Sequence, residues 1–162
     1  YLSYPRVDAF EKSRSFSTSS SDIHAVKWIN QDAGENEFIV LANQSVSAAA
    51  LREFGFKKYY HNNKSEILGP SNDLGTNHQS EIFYYPLPTS SPLYSIYLDM
   101  VYQSPTSKKL SSAMNIAKVS TGYFVINNYW LDYDKIVEAA QKEPDLNQVY
   151  STNLITIFKL SK

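Results

Sequence analysis

The stretch YFVINNYW, Tyr123 to Trp130, decides how this chain is read. Four aromatic or β-branched residues open it as a strand, two asparagines stop it, and a Tyr-Trp pair leads into a segment with helical periodicity. A short apolar run bounded by turn residues predicts a strand buried on both faces. FIVLANQS, residues 38–45, repeats the design and runs into SAAALREF, where Ala50, Leu51 and Phe54 recur at helical spacing before Gly55. Strands that alternate with helices predict an α/β fold. The expected form is three-layer: a mainly parallel sheet, helices on both faces and an antiparallel edge at the carboxyl end.

The strands expected are Phe38–Ala42, Ile82–Tyr85, Tyr123–Ile126 and Ile155–Leu160. Ser21 or Asp22 can cap a first helix carrying Ile23, Val26 and Ile29, with Gly34 at its close or in the loop beyond. Ser91-Pro92 supplies a cap and a proline at the first helical position, with Leu93, Ile96, Tyr97 and Met100 inward. Ser104-Pro105 repeats the device before Leu110, Ala113, Met114 and Ala117. Trp130–Ala140 predicts a helix with Leu131, Ile136, Val137 and Ala140 as its apolar residues, and Pro144 prevents its continuation. NQVYSTNLITIFKL alternates around a Thr-Asn turn and predicts a hairpin. Residues 1–21 form a polar, serine-rich lead-in, and 22–162 are expected to form one α/β domain. The polar stretch 57–80 is an excursion within that domain.

With 162 residues, 43% of them hydrophobic, the chain can bury one sizeable core. Fifteen basic and 16 acidic residues give a net charge of −1, and Lys57-Lys58 and Lys108-Lys109 are the only basic doublets. That balance gives no electrostatic reason to bind nucleic acid. Without cysteine, thiolate chemistry and thiolate metal sites are excluded. The longest apolar runs are far too short to span a bilayer, so no direct membrane insertion by this chain is expected. It starts on Tyr1 rather than methionine, which fits an excised domain, a tag or a processed form.

The two strand-asparagine-helix units place Asn43, Asn127 and Asn128 at the carboxyl ends of strands, where open parallel sheets bind ligands. Amides offer both donor and acceptor to sugar hydroxyls, and Tyr129 or Trp130 offers a ring to an apolar sugar face. These five residues are the candidate ligand-binding set. Asparagine is equally a good helix cap, so capping remains the competing role.

No catalytic residue is assigned. His24, His61 and His78 lack the spacing of a helical zinc pair, so no metal site is expected. Asp99, Asp132 and Asp134 are read as caps or surface charge, the last two near a helix start. No glycine-rich phosphate loop or nucleophile elbow occurs, and no cofactor is expected. Asn43-Gln44-Ser45 and Asn63-Lys64-Ser65 match the N-glycosylation acceptor pattern, relevant only on a secretory route.

DIHAVKWINQDAGENEFIVLAN resembles the segment after the last membrane span of polytopic glycosyltransferases that use lipid-linked sugars. FYYPLPTSSPLYSIYLDMVYQSPTSKKLSSAM and GYFVINNYWLDYDKIVEAA resemble the continuation of such extracytoplasmic tails. The resemblance covers roughly residues 20–160 and is one of pattern. It implies a non-catalytic extracytoplasmic C-terminal domain, anchored through segments not in this chain, that contacts glycan or the membrane-embedded portion of its parent. The alternative is a free-standing α/β enzyme or binding protein acting on a small polar ligand at the carboxyl edge of the sheet.

Overall fold

A computed structural model describes residues 18–54, 85 and 91–162. The expectations for residues 1–17, for Ile82 to Tyr84, for the 57–80 excursion and for the Asn63 acceptor pattern lie outside these. Among the described residues the chain forms, in order, α1 (Ser20–Ala33), β1 (Phe38–Leu41), α2 (Gln44–Phe54), α3 (Pro92–Tyr102), α4 (Ser107–Ala117), β2 (Thr121–Asn127), α5 (Tyr133–Gln141), β3 (Asn147–Ser151) and β4 (Ile155–Ser161). This is an α/β fold with a four-stranded mixed sheet.

The strands lie in the order β1-β2-β4-β3. β1 pairs with β2 in parallel, whereas β2 with β4 and β4 with β3 are antiparallel. The sheet is therefore not mainly parallel. Following the pairings, β1, β2 and β3 all run the same way, as alternation with helices requires, but β3 does not lie beside β2. The hairpin turns β4 back into the place between them. The antiparallel hairpin expected at the carboxyl end is present, with β4 in the sheet interior and β3 outermost. A register shift between Gln148 and Tyr150 gives β3 one extra residue, a bulge of the kind that discourages edge-to-edge pairing.

Side-chain alternation divides the core in two. Ile39, Leu41, Phe124, Ile126, Phe158 and Leu160 join buried residues of α3, α4 and α5. Phe38, Val40, Tyr123, Val125, Ile155 and Ile157 join buried residues of α1 and α2, together with Tyr85. β1 and β2 are buried along their whole length, which explains their unbroken apolar runs. Close packing extends to Gly122, where a Cβ would stand 2.9 Å from Met114 Cγ and 3.0 Å from Leu110 Cδ1.

Local signals set the helix ends, with some shifts from expectation. α1 is capped by Ser19 rather than Ser21 or Asp22, because Asp22 serves as the reciprocal partner of a capping box. Gly34, at φ 59, ends α1 in a conformation that disfavours a side chain. Ser91 and Pro92 start α3 as expected. Thr106, not Ser104, caps α4, and its side chain accepts from the Lys109 amide at 3.3 Å. α5 begins three residues after Trp130, so Trp130 and Leu131 belong to a turn, and Leu131 points to solvent instead of the core.

Candidate functional site

Because β1 and β2 are parallel and in register from Phe38 with Thr121 to Leu41 with Phe124, their carboxyl ends coincide. Asn43, two residues past Leu41, and Asn127, the last residue of β2, are thereby brought together. Asn43 Nδ2 donates to Asn127 Oδ1 at 3.0 Å, and Asn127 Nδ2 donates to Asp22 Oδ1 at 3.0 Å. Asn43 Oδ1 accepts from the Val46 amide at 2.9 Å, capping α2. At the other end, Asp22 Oδ2 accepts from the Ser19 amide and hydroxyl, each at 2.8 Å. All three side chains are buried, with exposures of 3% for Asn43, 5% for Asn127 and 4% for Asp22.

This chain of bonds has a direction, fixed from its Val46 end. A backbone N–H can only donate, so the Asn43 oxygen must face Val46 and its nitrogen must face Asn127. The donating Asn43 nitrogen needs an acceptor, so Asn127 turns its oxygen to Asn43 and its nitrogen to Asp22. Both amide orientations follow from chemistry alone. The result joins the first turns of α1 and α2 to the end of β2, and Asp22 sets its carboxyl in the first turn of α1. The two amides are spent on each other and are buried.

The rest of the candidate set, Asn128, Tyr129 and Trp130, is half-buried. Asn128 Nδ2 donates to the Asn153 carbonyl at 2.7 Å, tying the turn after β2 to the β3–β4 turn. Trp130 is half-buried against the α3–α5 core, and its Nε1 donates to the buried Tyr97 hydroxyl at 3.0 Å. Around that indole stand Tyr97 at 6.3 Å, Tyr102 edge-on at 5.4 Å and Tyr129 at 5.4 Å between ring centroids. Tyr94 continues the group, 5.7 Å from Tyr97. Burial and then the neighbouring tyrosine hydroxyls push the Tyr97 hydroxyl well above the ordinary tyrosine range, so it remains a neutral hydrogen-bonding group. Tyr102 and Leu131 are 70% and 98% exposed, the two large hydrophobic residues left open to water among the described residues. Asp132, which follows Leu131 in sequence, pairs with Lys135 at 2.8 Å.

A second polar group lies where the last turn of α1 meets the sheet. Asp32 Oδ2 accepts from the Tyr123 hydroxyl at 2.7 Å and from Lys159 Nζ at 2.8 Å, while the Lys159 ammonium stands 5.5 Å from the Tyr123 ring centre. Burial acts to raise the Asp32 carboxyl, but the Lys159 and Tyr123 hydrogen bonds and the Lys159 charge outweigh it and leave it lowered. Tyr123 is raised by burial and by its bond to Asp32. Tyr85, edge-on to Phe38 at 6.4 Å, buries a hydroxyl that has no hydrogen-bond partner among the described residues. Burial raises it strongly.

Among the described residues, no cluster of three or more histidine or acidic side chains could hold a metal ion. No described helix is long and apolar enough to cross a membrane. Asp99 accepts from Gln103, whereas Asp132 at the N-cap of α5 pairs with Lys135 and Asp134 lies in the first turn of the same helix. Sequence reasoning overlooked Asp22 as the anchor of the amide chain, although Ser19-x-x-Asp22 is a readable capping-box pattern. It also overlooked Tyr102, whose meeting with Trp130 depends on tertiary packing. No family model matches the chain, and neither a curated protein nor a solved structure matches it.

Proposed function

We propose that this chain is a non-catalytic recognition domain that contacts a glycan through the aromatic surface around Trp130. The observation that carries this reading is the strongly exposed Tyr102 standing edge-on to the half-buried Trp130, which also packs with Tyr129 at the turn after β2, where the exposed Leu131 follows in sequence. Rings anchored on one side and wet on the other suit ligands with apolar faces and polar rims. Asp132 and Asp134 outnumber Lys135 at the start of α5, which favours a neutral glycan over a phosphate-bearing ligand. Asn128 remains as a polar contributor, whereas Asn43 and Asn127 act as supports beneath the turn.

The wider context is an extracytoplasmic domain of a membrane protein of the lipid-linked-sugar glycosyltransferase kind. It rests on the resemblance of residues 20–160 to the tails of such proteins. For the architecture we infer three layers, with α1 and α2 against one face of the sheet and α3, α4 and α5 against the other. The alternate assignment of strand residues to two core clusters supports it.

The test is NMR titration of the full chain with neutral oligosaccharides, chitotetraose and mannotetraose, following the two indole N–H signals. Saturable shifts at Trp130 with Trp28 unmoved, lost in Tyr102→Ala, are expected. No shift up to about 10 mM, which corresponds to binding weaker than about −3 kcal/mol, would remove both sugars as ligands.

A further inference from the structure

We infer that folding of this domain and N-glycosylation of Asn43 exclude one another. Asn43-Gln44-Ser45 is an acceptor pattern by sequence, and its acceptor atom is Asn43 Nδ2. In the folded chain that nitrogen donates to Asn127 Oδ1 at 3.0 Å, inside a side chain only 3% exposed. The same amide is held from its other side by the Val46 N–H, and Ser45 is already in the first turn of α2. Transfer from a lipid-diphosphate-linked oligosaccharide would form a bond from Nδ2 to the anomeric carbon. The bond from that carbon to the diphosphate would break, the lipid diphosphate would leave with the electron pair, and Nδ2 would lose a proton to base. The new sugar ring would then occupy the space of the Asn127 side chain, and the chain of bonds from Asp22 to α2 would be broken.

The transferase can therefore act on Asn43 only before folding or during global opening. For a domain of ordinary stability that restricts the reactive population by about a thousandfold or more. If the chain follows a secretory route, the pattern becomes a competition: a molecule that folds first escapes modification, and one modified first loses the fold. This exclusion is independent of what the aromatic surface binds.

Two substrates test it with a purified oligosaccharyltransferase and its lipid-linked donor. One is the full chain, native, carrying an appended Asn-Ala-Thr tag as internal control; the other is a peptide of residues 38–48 as the unfolded reference. Site-resolved mass spectrometry should find the tag and the peptide modified, and Asn43 of the native chain modified at least about a thousandfold more slowly than the peptide. Ser45→Ala in the peptide should abolish its modification. Asn43 modified in native protein at a rate near that of the peptide, or in molecules that keep the unmodified thermal transition, overturns the inference. A peptide left unmodified beside a modified tag also overturns it, since the fold would then not be what protects Asn43.

Discussion

Asn43 donates a side-chain hydrogen bond to Asn127 at 3.0 Å across the carboxyl ends of two parallel strands, 84 residues apart in sequence. Asn127 in turn holds the Asp22 carboxylate. Replacing Asn127 by alanine strands a buried donor on Asn43 and removes a donor from a buried carboxylate. The expected loss is about 2–4 kcal/mol, since unsatisfied buried groups cost about 1–3 kcal/mol each and charged ones more. Asn128→Ala, which removes a partly exposed bond to the Asn153 carbonyl, should cost less than about 1 kcal/mol. Urea melts of the two variants decide the matter, and equal losses would mean that the buried network contributes nothing special.

How much of this site was legible depends on which residue is asked. The strand-asparagine-helix repetition was enough to place Asn43 and Asn127 at strand ends. Period and β-branching marked the strands themselves. Strand order was not legible: the run LITIFKL is equally apolar whether it lies at an edge or between β2 and β3, and only the β4–β2 register decides. Leu131 misled for a related reason. As an apolar residue shortly before the buried Ile136 and Ala140 it makes the helix look longer than it is, but the turn from Asn127 to Asp132 ends the strand tightly, with the Trp130 amide donating back to the Asn127 carbonyl at 3.3 Å, and the helix starts too late to include it.

Tyr85 buries its hydroxyl with no hydrogen-bond partner among the described residues, so that group loses its hydration on folding and recovers nothing from them. Tyr85→Phe keeps the ring against Phe38 and deletes the orphan group. The variant should be more stable by about 1 kcal/mol, read as a rise in the thermal midpoint. A fall of similar size would show that the hydroxyl is bonded in solution.

Asp32 gives the stability a dependence on acid. Its carboxyl is lowered in the folded chain, so its contribution is present above the ordinary value of 3.8 and is lost as pH falls through the lower folded value. At neutral pH, Asp32→Asn should be less stable by about 1–2 kcal/mol, a figure reduced from that of a buried pair because both Asp32 and Lys159 keep some solvent contact. Below pH 3.8 the difference between wild type and variant should shrink. A gap that stays constant down to pH 2 would separate this triad from the acid limb.

At Gly122 the missing side chain is what lets β2 lie against α4. A Cβ there meets Met114 Cγ, Met114 Sδ and Leu110 Cδ1 at 2.9, 3.0 and 3.0 Å. Gly122→Ala should therefore cost about 1–3 kcal/mol through overpacking. Shortening the opposing side chain relieves it: in a double-mutant cycle with Met114→Ala, the combined loss should be smaller than the sum of the single losses. Strict additivity would mean that the strand and helix already separate enough to admit a methyl group.

Trp130 and Leu131 are neighbours in sequence with opposite roles, and their substitutions should part accordingly. The Trp130 indole packs on Tyr97, Tyr102 and Tyr129 and supplies the N–H that the buried Tyr97 hydroxyl accepts. Trp130→Phe keeps part of the ring packing, deletes that donor and leaves a smaller ring, so a loss of about 1–2 kcal/mol is expected. Leu131 stands almost wholly in water, and Leu131→Ser should leave the melting midpoint unchanged. Its effect belongs to whatever the surface contacts. If the turn is a recognition surface, Leu131→Ser and Tyr102→Ala should weaken ligand capture while the fold stays intact, and Trp130→Phe should weaken both. A substantial loss of stability in Leu131→Ser would instead mean that this side chain is covered in solution and that the turn is part of the core.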